Sequence, residues 1–271
     1  MSFGTNEKIR SKLYFMFSAL TIGTNGVNAP SNYFDGCLDS IAYFGRAKNA
    51  TEILYAATVV ARLSFDGSTL LDSGPLLING TGTNYSYTPS GRVNAALTLS
   101  GLPSYVQVSG LRRWGTNNWP YTVAVWINAA NVAGGTIMHL SSQADGRPGW
   151  CIPIIGFTST GQISINSWNG SIVPITGPPV PSSVWTHVAS TYSPSNGLRL
   201  YVNGTLRGFV GGYNFISSGT PMILTLGNSL LGTTSCVTGG IQMGQYYGSL
   251  DELYVYAREL TALEISTLAN P

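Results

Sequence analysis

Apolar residues along this chain alternate with polar ones in short runs, and Gly, Pro and Asn separate the runs. This period of two is typical of strands that bury one face. Asn203-Gly204 lies between two such runs and favours a tight hairpin, because both turn positions take a positive φ. Residues 176–183 contain three prolines and are predicted to form a surface loop. The pattern predicts strands at residues 105–108, 122–127, 136–140, 162–165, 185–188 and 198–202.

One short helix is predicted near the C terminus. Thr261 and Glu264 have the spacing of a capping box, and Ile265 follows them. Asn49 and Glu52 repeat this spacing near the N terminus. The pattern therefore predicts an all-β, antiparallel two-sheet sandwich with a short C-terminal helical turn.

The C-terminal part of the chain repeats a stretch near the N terminus. Arg46 and Glu52 recur as Arg258 and Glu264, each 212 residues later (258 − 46). A repeat of this length indicates tandem domains rather than a solenoid of short units. We therefore expect two parts: a C-terminal remnant of a preceding domain at residues 1–57, and one complete domain at residues 58–271.

Composition narrows the classes of partner. Charged residues make up 9% of the chain and the net charge is +2, so nothing in the sequence favours nucleic acid. A sequon at Asn49 coincides with the predicted helix start, where we expect a cap rather than a glycan. The other sequons favour a secreted route to an extracellular or cell-surface location; they begin at Asn79, Asn84, Asn169 and Asn203.

The sequence shows no apolar run of the ~18 residues that a membrane span needs. Residues 8–20 have a basic start and an apolar middle, as a signal peptide does. Residues 20–23 also match residues 224–227 in the repeat, and we favour that second interpretation, a strand. A secretion signal is then expected upstream of residue 1.

Three cysteines leave one without a partner in any pairing. Cys151 and Cys236 both lie in the complete domain and are candidates for a disulfide. Cys37 lies in the remnant. The alternative is three buried thiols.

The ordered set of motifs in residues 58–271 resembles the laminin-G-like domains of the concanavalin A-like lectin/glucanase superfamily. Each motif is weak alone. The resemblance implies a jelly-roll sandwich, and we expect Trp126, Trp185, Leu200 and Val255 to face between its sheets. The motifs are Leu-Ser-Phe-Asp-Gly at 63–67, Tyr-Thr-Val-Ala-Val-Trp at 121–126, Leu-Arg-Leu-Tyr-Val-Asn-Gly at 198–204 and Gly-Ser-Leu-Asp-Glu-Leu-Tyr-Val-Tyr-Ala-Arg at 248–258.

Catalysis is not predicted. Glycosidases of this superfamily carry E-x-D-x-x-E on one strand, and this chain has no such triplet. Hydrolysis of a glycosidic bond usually needs two carboxylates that flank it. His187 lies in a strand pattern on one face with Ala189, which favours a packed histidine over a ligand.

The resemblance also implies a possible Ca²⁺ ion, because relatives often hold one at the rim of the sandwich through oxygen ligands. Asp66, Asp72 and Asp251 lie in the matching motifs at predicted strand ends. The alternative is that each carboxylate caps a turn by accepting backbone N–H groups.

A glycan site needs exposed aromatic residues with polar neighbours. The best segment is 111–119, where a tryptophan face suits a sugar ring and a guanidinium suits an anionic group. The alternative is that the tryptophans fill the core. The predicted ligand-binding residues are Arg112, Arg113, Trp114, Trp119 and Trp168.

These observations predict a non-catalytic extracellular recognition module that binds a glycan or a protein partner through rim loops. Two alternatives remain: a carbohydrate-binding module attached to an enzyme outside this sequence, and an architectural spacer in a surface protein.

Overall fold

A computed structural model describes residues 20–24, 33–38 and 41–271. The chain divides into two compact units, Met1–Gly45 and Arg46–Pro271. Residues 20–23 form no strand, so that prediction is wrong. The signal-like residues 8–19 lie outside the described residues.

The larger unit contains every helix and strand of the described residues. Helix α1 spans Ala50–Thr58 and α2 spans Ala262–Leu268. The strands are β1 Val59–Leu63, β2 Thr81–Thr83, β3 Tyr85–Thr88, β4 Ala96–Leu99, β5 Tyr105–Leu111, β6 Tyr121–Ala129, β7 Thr136–Ser141, β8 Cys151–Phe157, β9 Gln162–Trp168, β10 Ile172–Pro179, β11 Thr186–Ser193, β12 Gly197–Val202, β13 Thr205–Val210, β14 Met222–Leu226 and β15 Gly248–Tyr256.

These strands form two antiparallel sheets, which confirms the predicted sandwich. Sheet A has eight strands in the order β13-β12-β11-β6-β15-β4-β3, with β1 paired to β15. Sheet B has seven strands in the order β10-β9-β8-β7-β14-β5-β2. Asn203 and Gly204 form the predicted hairpin turn with φ of 48° and 74°.

The proline-rich loop prediction is wrong in its first half. Strand β10 continues to Pro179, where it still pairs with Gln162 of β9. β10 is an edge strand of sheet B, and an edge strand tolerates proline because one side of its backbone needs no partner.

The main core lies between the sheets and follows the alternation of each strand. Val123, Val125 and Ile127 of β6 point into it, and so do Leu200 and Val255, as predicted. Trp126 lies on the opposite, outer face of sheet A, where its Nε1 donates to the Leu268 carbonyl at 3.3 Å. Trp185 is half-buried just before β11. The prediction that these two tryptophans face between the sheets is therefore wrong.

The two helices repeat one another in structure as well as in sequence. Asn49 and Glu52 close a capping box at α1, as Thr261 and Glu264 do at α2. Arg46 forks onto Glu52, and Arg258 forks onto Glu264. This equivalence supports the proposal that residues 1–57 descend from a preceding domain. The structural division at residues 45 and 46, however, places α1 in the larger unit.

A segment that we call the strap, residues 229–243, crosses the outer face of sheet B. The predicted disulfide Cys151–Cys236 is confirmed and ties the strap to β8. Gln242 N–H donates to the Phe157 carbonyl at 2.8 Å, and Asn166 Nδ2 donates to the Thr238 carbonyl at 2.8 Å. The strap therefore covers this face of β8 and β9. Cys37 is free and exposed.

Candidate functional site

The predicted ligand-binding residues meet at one end of the sandwich. The β5–β6 loop, residues 112–120, is braced by the β13–β14 connection: Asn118 N–H donates to the Phe215 carbonyl at 2.9 Å. The next residue, Ile216, donates its N–H to the Trp168 carbonyl at 3.0 Å. A Cβ at Gly115 would lie 1.8 Å from the Thr220 carbonyl oxygen, so only glycine permits this approach. The loop is therefore held in one conformation.

Trp114 must be removed from the predicted ligand-binding set. Its side chain is only 4% exposed and packs edge-on against Tyr121, with ring centroids 5.4 Å apart. It belongs to the core between the sheets together with Phe215. A ring buried in this way has no free face for a sugar. The alternative interpretation, a core residue, is correct for Trp114.

Arg112 and Arg113 are exposed on the same loop. The Arg113 guanidinium lies 4.7 Å from the Trp119 ring centroid, in a cation–π contact. Trp119 is half-buried, and its Nε1 donates to the Ala257 carbonyl at 3.2 Å. Among the ion pairs of the described residues, neither arginine has a carboxylate partner. We call Arg112, Arg113, Trp119 and Trp168 the rim surface.

Trp168 contributes less surface than an exposed aromatic residue would. It ends β9, is half-buried, and packs against the core. Trp150 is similarly half-buried and contacts Phe215, with ring centroids 6.0 Å apart. These tryptophans therefore support the rim and offer only part of each ring to a ligand.

The three predicted metal ligands accept backbone N–H groups instead. Asp72 accepts backbone N–H groups from Arg62, Gly74 and Ile78, each at 2.7 Å. Asp251 accepts from Val93 at 2.9 Å, and Asp66 accepts from Ala95 at 3.2 Å. These bonds tie each carboxylate to the backbone of a neighbouring segment.

The three carboxylates also do not converge. Within the described residues, the single group whose ligand atoms lie within 4.8 Å of one another is His139, Cys151 and Cys236. Both of its cysteines are in the disulfide, so it does not offer thiolates to a metal. Asp66, Asp72 and Asp251 therefore do not fit the calcium site that the resemblance implies, and that prediction is wrong for these residues.

The other acids of the sandwich also have structural partners. Glu252 pairs with Arg62 at 3.3 Å, and Glu264 is held by Arg258 and the α2 capping box. Asp145 accepts the Arg147 N–H at 3.1 Å. Each of these carboxylates is therefore held by partners within the fold.

Burial shifts the pKa values of both histidines and of one aspartate. It lowers the pKa of His139 and of His187 to about 4, since an imidazolium is poorly solvated there. Burial raises the pKa of Asp251 to about 7, although backbone N–H groups from Val93 and Glu252 act against this. His187 is packed, as predicted: it lies beside Trp126 on the outer face of sheet A, with ring centroids 5.4 Å apart.

We expect these shifts to appear in the pH dependence of unfolding. Each histidine has a pKa near 6.5 in the unfolded chain and about 4 in the native chain. The unfolded chain therefore binds the proton first, and the native state loses stability as the pH falls from 6.5 to 4. The loss is roughly 3 kcal/mol per histidine. Asp251 acts oppositely, because the native chain binds its proton first and stability is lost as pH rises from about 4 to 7. When the melting temperature is measured against pH, the decrease toward low pH should be smaller in His187→Gln than in the parent chain. In Asp251→Asn that decrease should be larger. Unchanged profiles in both variants would contradict the shifts.

The four predicted glycosylation sites are all exposed, which is compatible with glycan attachment. Asn203 uses its Oδ1 to accept the His187 N–H at 2.9 Å. Asn49 caps α1, as predicted. Glycosylation stays a prediction; the four sites are Asn79, Asn84, Asn169 and Asn203.

A concave site that sequence reasoning missed lies on the outer face of sheet A. It is a cleft of about 300 Å³. Arg199 and Tyr201 line it from β12, Asn196 from the turn before β12, and Glu259 from the segment after β15. Its residues come from distant parts of the chain, and only the pairing of the strands brings them together.

The profile of a laminin-G family, described as the concanavalin A-like lectin/glucanases superfamily, matches residues 100–266. The chain belongs to this superfamily. No characterised protein matches the sequence itself. Within the described residues, neither helix is long and apolar enough to span a membrane.

Solved structures with the same fold include a domain of an arabinanase and the binding domains of two toxins. Domain 4 of AbnA, a GH43 extracellular arabinanase from Geobacillus stearothermophilus in complex with arabinotriose, is 20% identical with a TM-score of 0.55, covering 78% of this chain and 98% of that domain. The binding domain of Paraclostridial Mosquitocidal Protein 1 is 17% identical with a TM-score of 0.58, and the match covers 80% of this chain and 52% of that one. The receptor binding domain of botulinum neurotoxin D is 14% identical with a TM-score of 0.56, covering 79% and 53%. This superfamily member spans about half of the two toxin domains, and identities this low show the fold alone.

Proposed function

We propose that this chain is a non-catalytic recognition domain of an extracellular protein, and that it binds an anionic group on a glycan or protein partner through the rim surface. The observation that carries the proposal is the pair Arg112 and Arg113: exposed, on a braced loop, and without a carboxylate partner among the described ion pairs. A guanidinium binds a carboxylate or sulfate through two parallel hydrogen bonds.

The covering of both sheets supports the same location. The strap lies over sheet B, while Ile265 of α2 packs on the outer face of sheet A. Much of each flat face is therefore used for packing, whereas the rim loops remain open. A loop that is already ordered loses little conformational entropy when it binds.

A lectin-like role without turnover also agrees with the contacts of the acidic side chains. Asp72 and Asp251 are bonded to backbone N–H groups, and Glu264 is paired with Arg258. The arabinanase domain that shares this fold was solved with a bound trisaccharide, which supports the second candidate, a carbohydrate-binding module of a larger enzyme. Incubation with polysaccharides should release no reducing sugar in either case.

The test is binding to an array of sialylated, sulfated and uronic-acid glycans. Removing both charges in Arg112→Ala/Arg113→Ala should raise the Kd for an anionic glycan at least about tenfold, since a charged hydrogen bond contributes about 1.5–3 kcal/mol. Arg207→Ala is the matched control, because Arg207 is exposed on β13, away from the rim. Anionic glycans that bind the double variant as tightly as the parent chain would contradict the proposal.

A further inference from the structure

An exposed aromatic ring lies next to the polar cleft on the outer face of sheet A. Phe209 of β13 lies directly opposite Arg199 of β12 in the strand pairing. Residues opposite each other in an antiparallel pair share one face, and their Cβ atoms lie about 4.5–5.5 Å apart. Leu198 and Leu200 point into the core, so Arg199 and Phe209 point outward. Phe209 is 67% exposed.

Hydrogen-bonding capacity in the cleft is only partly used. Glu259 Oε2 accepts from Ser193 Oγ at 2.6 Å and from Asn196 Nδ2 at 2.8 Å. Glu259 Oε1 lies 3.6 Å from Arg199 Nε, beyond hydrogen-bond length. Arg199 Nε is buried and has no hydrogen-bond partner among the described residues. Buried polar atoms normally have partners, and those without one call for an explanation.

The charges identify the class of ligand. One guanidinium and one carboxylate face the same cleft and balance each other, so an anion would meet Glu259 and a cation would meet Arg199. A neutral ligand with hydroxyl groups can donate to Glu259 Oε1 and accept from Arg199. A sugar ring also has an apolar face that stacks on an aromatic side chain.

We propose that this cleft is a second binding site, separate from the rim surface, and that it takes a neutral saccharide. Phe209 stacks on the sugar ring, while Arg199, Asn196 and Glu259 bind its hydroxyl groups. The cleft's volume of about 300 Å³ lies at the small end of the usual range for ligand sites, which suits one or two sugar residues.

The experiment uses the whole chain and an array of neutral oligosaccharides, with arabino-, xylo-, gluco-, manno- and galacto-series on one slide. The tightest neutral binder is then titrated by calorimetry. Phe209→Ala and Arg199→Ala should each raise its Kd on the order of tenfold or more. Arg207→Ala is the matched control, because Arg207 is exposed on the same strand and is not paired with a residue that lines the cleft, so its substitution should not change the Kd.

The outcomes separate this site from the rim surface. The second site is supported if Phe209→Ala and Arg199→Ala each weaken binding of the neutral oligosaccharide while Arg112→Ala/Arg113→Ala binds it as the parent chain does. Unchanged thermal melts of the exposed variant Phe209→Ala exclude misfolding as the cause. The proposal is overturned if no neutral oligosaccharide binds, or if the one that binds is unaffected by both cleft substitutions.

Discussion

Replacing Trp114 with alanine is expected to lower the free energy of unfolding by about 3–5 kcal/mol. The indole packs against Tyr121 at one end of the core, in the cluster that also contains Phe215. Truncation removes its apolar contacts and leaves a cavity that the two sheets, fixed by their hydrogen bonds, cannot fully close. Because this ring anchors the β5–β6 loop in the core, the loop should also become more mobile in the variant.

Chemical denaturation of two separate variants, Trp114→Ala and Arg113→Ala, measures the free energy of unfolding of each. Arg113 is exposed on the same loop, so its substitution should leave the denaturation midpoint almost unchanged, while weakening binding at the rim surface. A Trp114→Ala chain as stable as the parent chain, with reduced ligand binding, would instead make Trp114 a contact residue.

Alternation predicted most of sheet A and sheet B, because each long strand buries one face. Residues 122–127 and 136–140 fall inside β6 and β7 for this reason. Alternation alone could not say which face is inside. Trp126 is large and apolar, yet it lies on the outer face, where the helix α2 covers it.

The cleft beside β12 was not predictable from the hairpin sequence. A regular two-residue turn at Asn203-Gly204 would place Arg199 opposite Gly208 and turn Phe209 toward the core. The pairing shifts by one residue between Leu200 and Tyr201, so Arg199 instead faces Phe209. A bulge of this kind reverses the face of every residue beyond it. Glu259, which reaches the cleft from the segment after β15, could be placed only by the tertiary fold.

The predicted calcium site failed for a related reason. Motifs placed Asp66, Asp72 and Asp251 near strand ends, where carboxylates serve either a metal or a turn. Backbone N–H groups decide between the two uses, and their directions depend on the local chain path. Asp72 has three such donors at 2.7 Å, which is sufficient to account for its burial.

The pair Ile265 and Ile53 provides the sharpest test of the internal repeat. The two residues occupy the same position after the capping box in α2 and α1, yet Ile265 is 0% exposed and Ile53 is 58% exposed. Ile265 packs against Ala124, Ala189 and Tyr201 on the outer face of sheet A.

Ile265→Asp should therefore lower the free energy of unfolding by more than about 4 kcal/mol, because it loses this contact and buries a carboxylate without a partner. Ile53→Asp makes the same chemical change on an exposed helix face and should change the free energy of unfolding by less than about 1 kcal/mol. Urea denaturation of both variants measures the difference. Equal losses would mean that the Ile53 face of α1 is also covered, and that α1 is seated on a surface as α2 is. An unequal result leaves α1 as a helix that keeps the cap and ion pair of its counterpart while Ile53 remains exposed, as expected for the end of a separate domain.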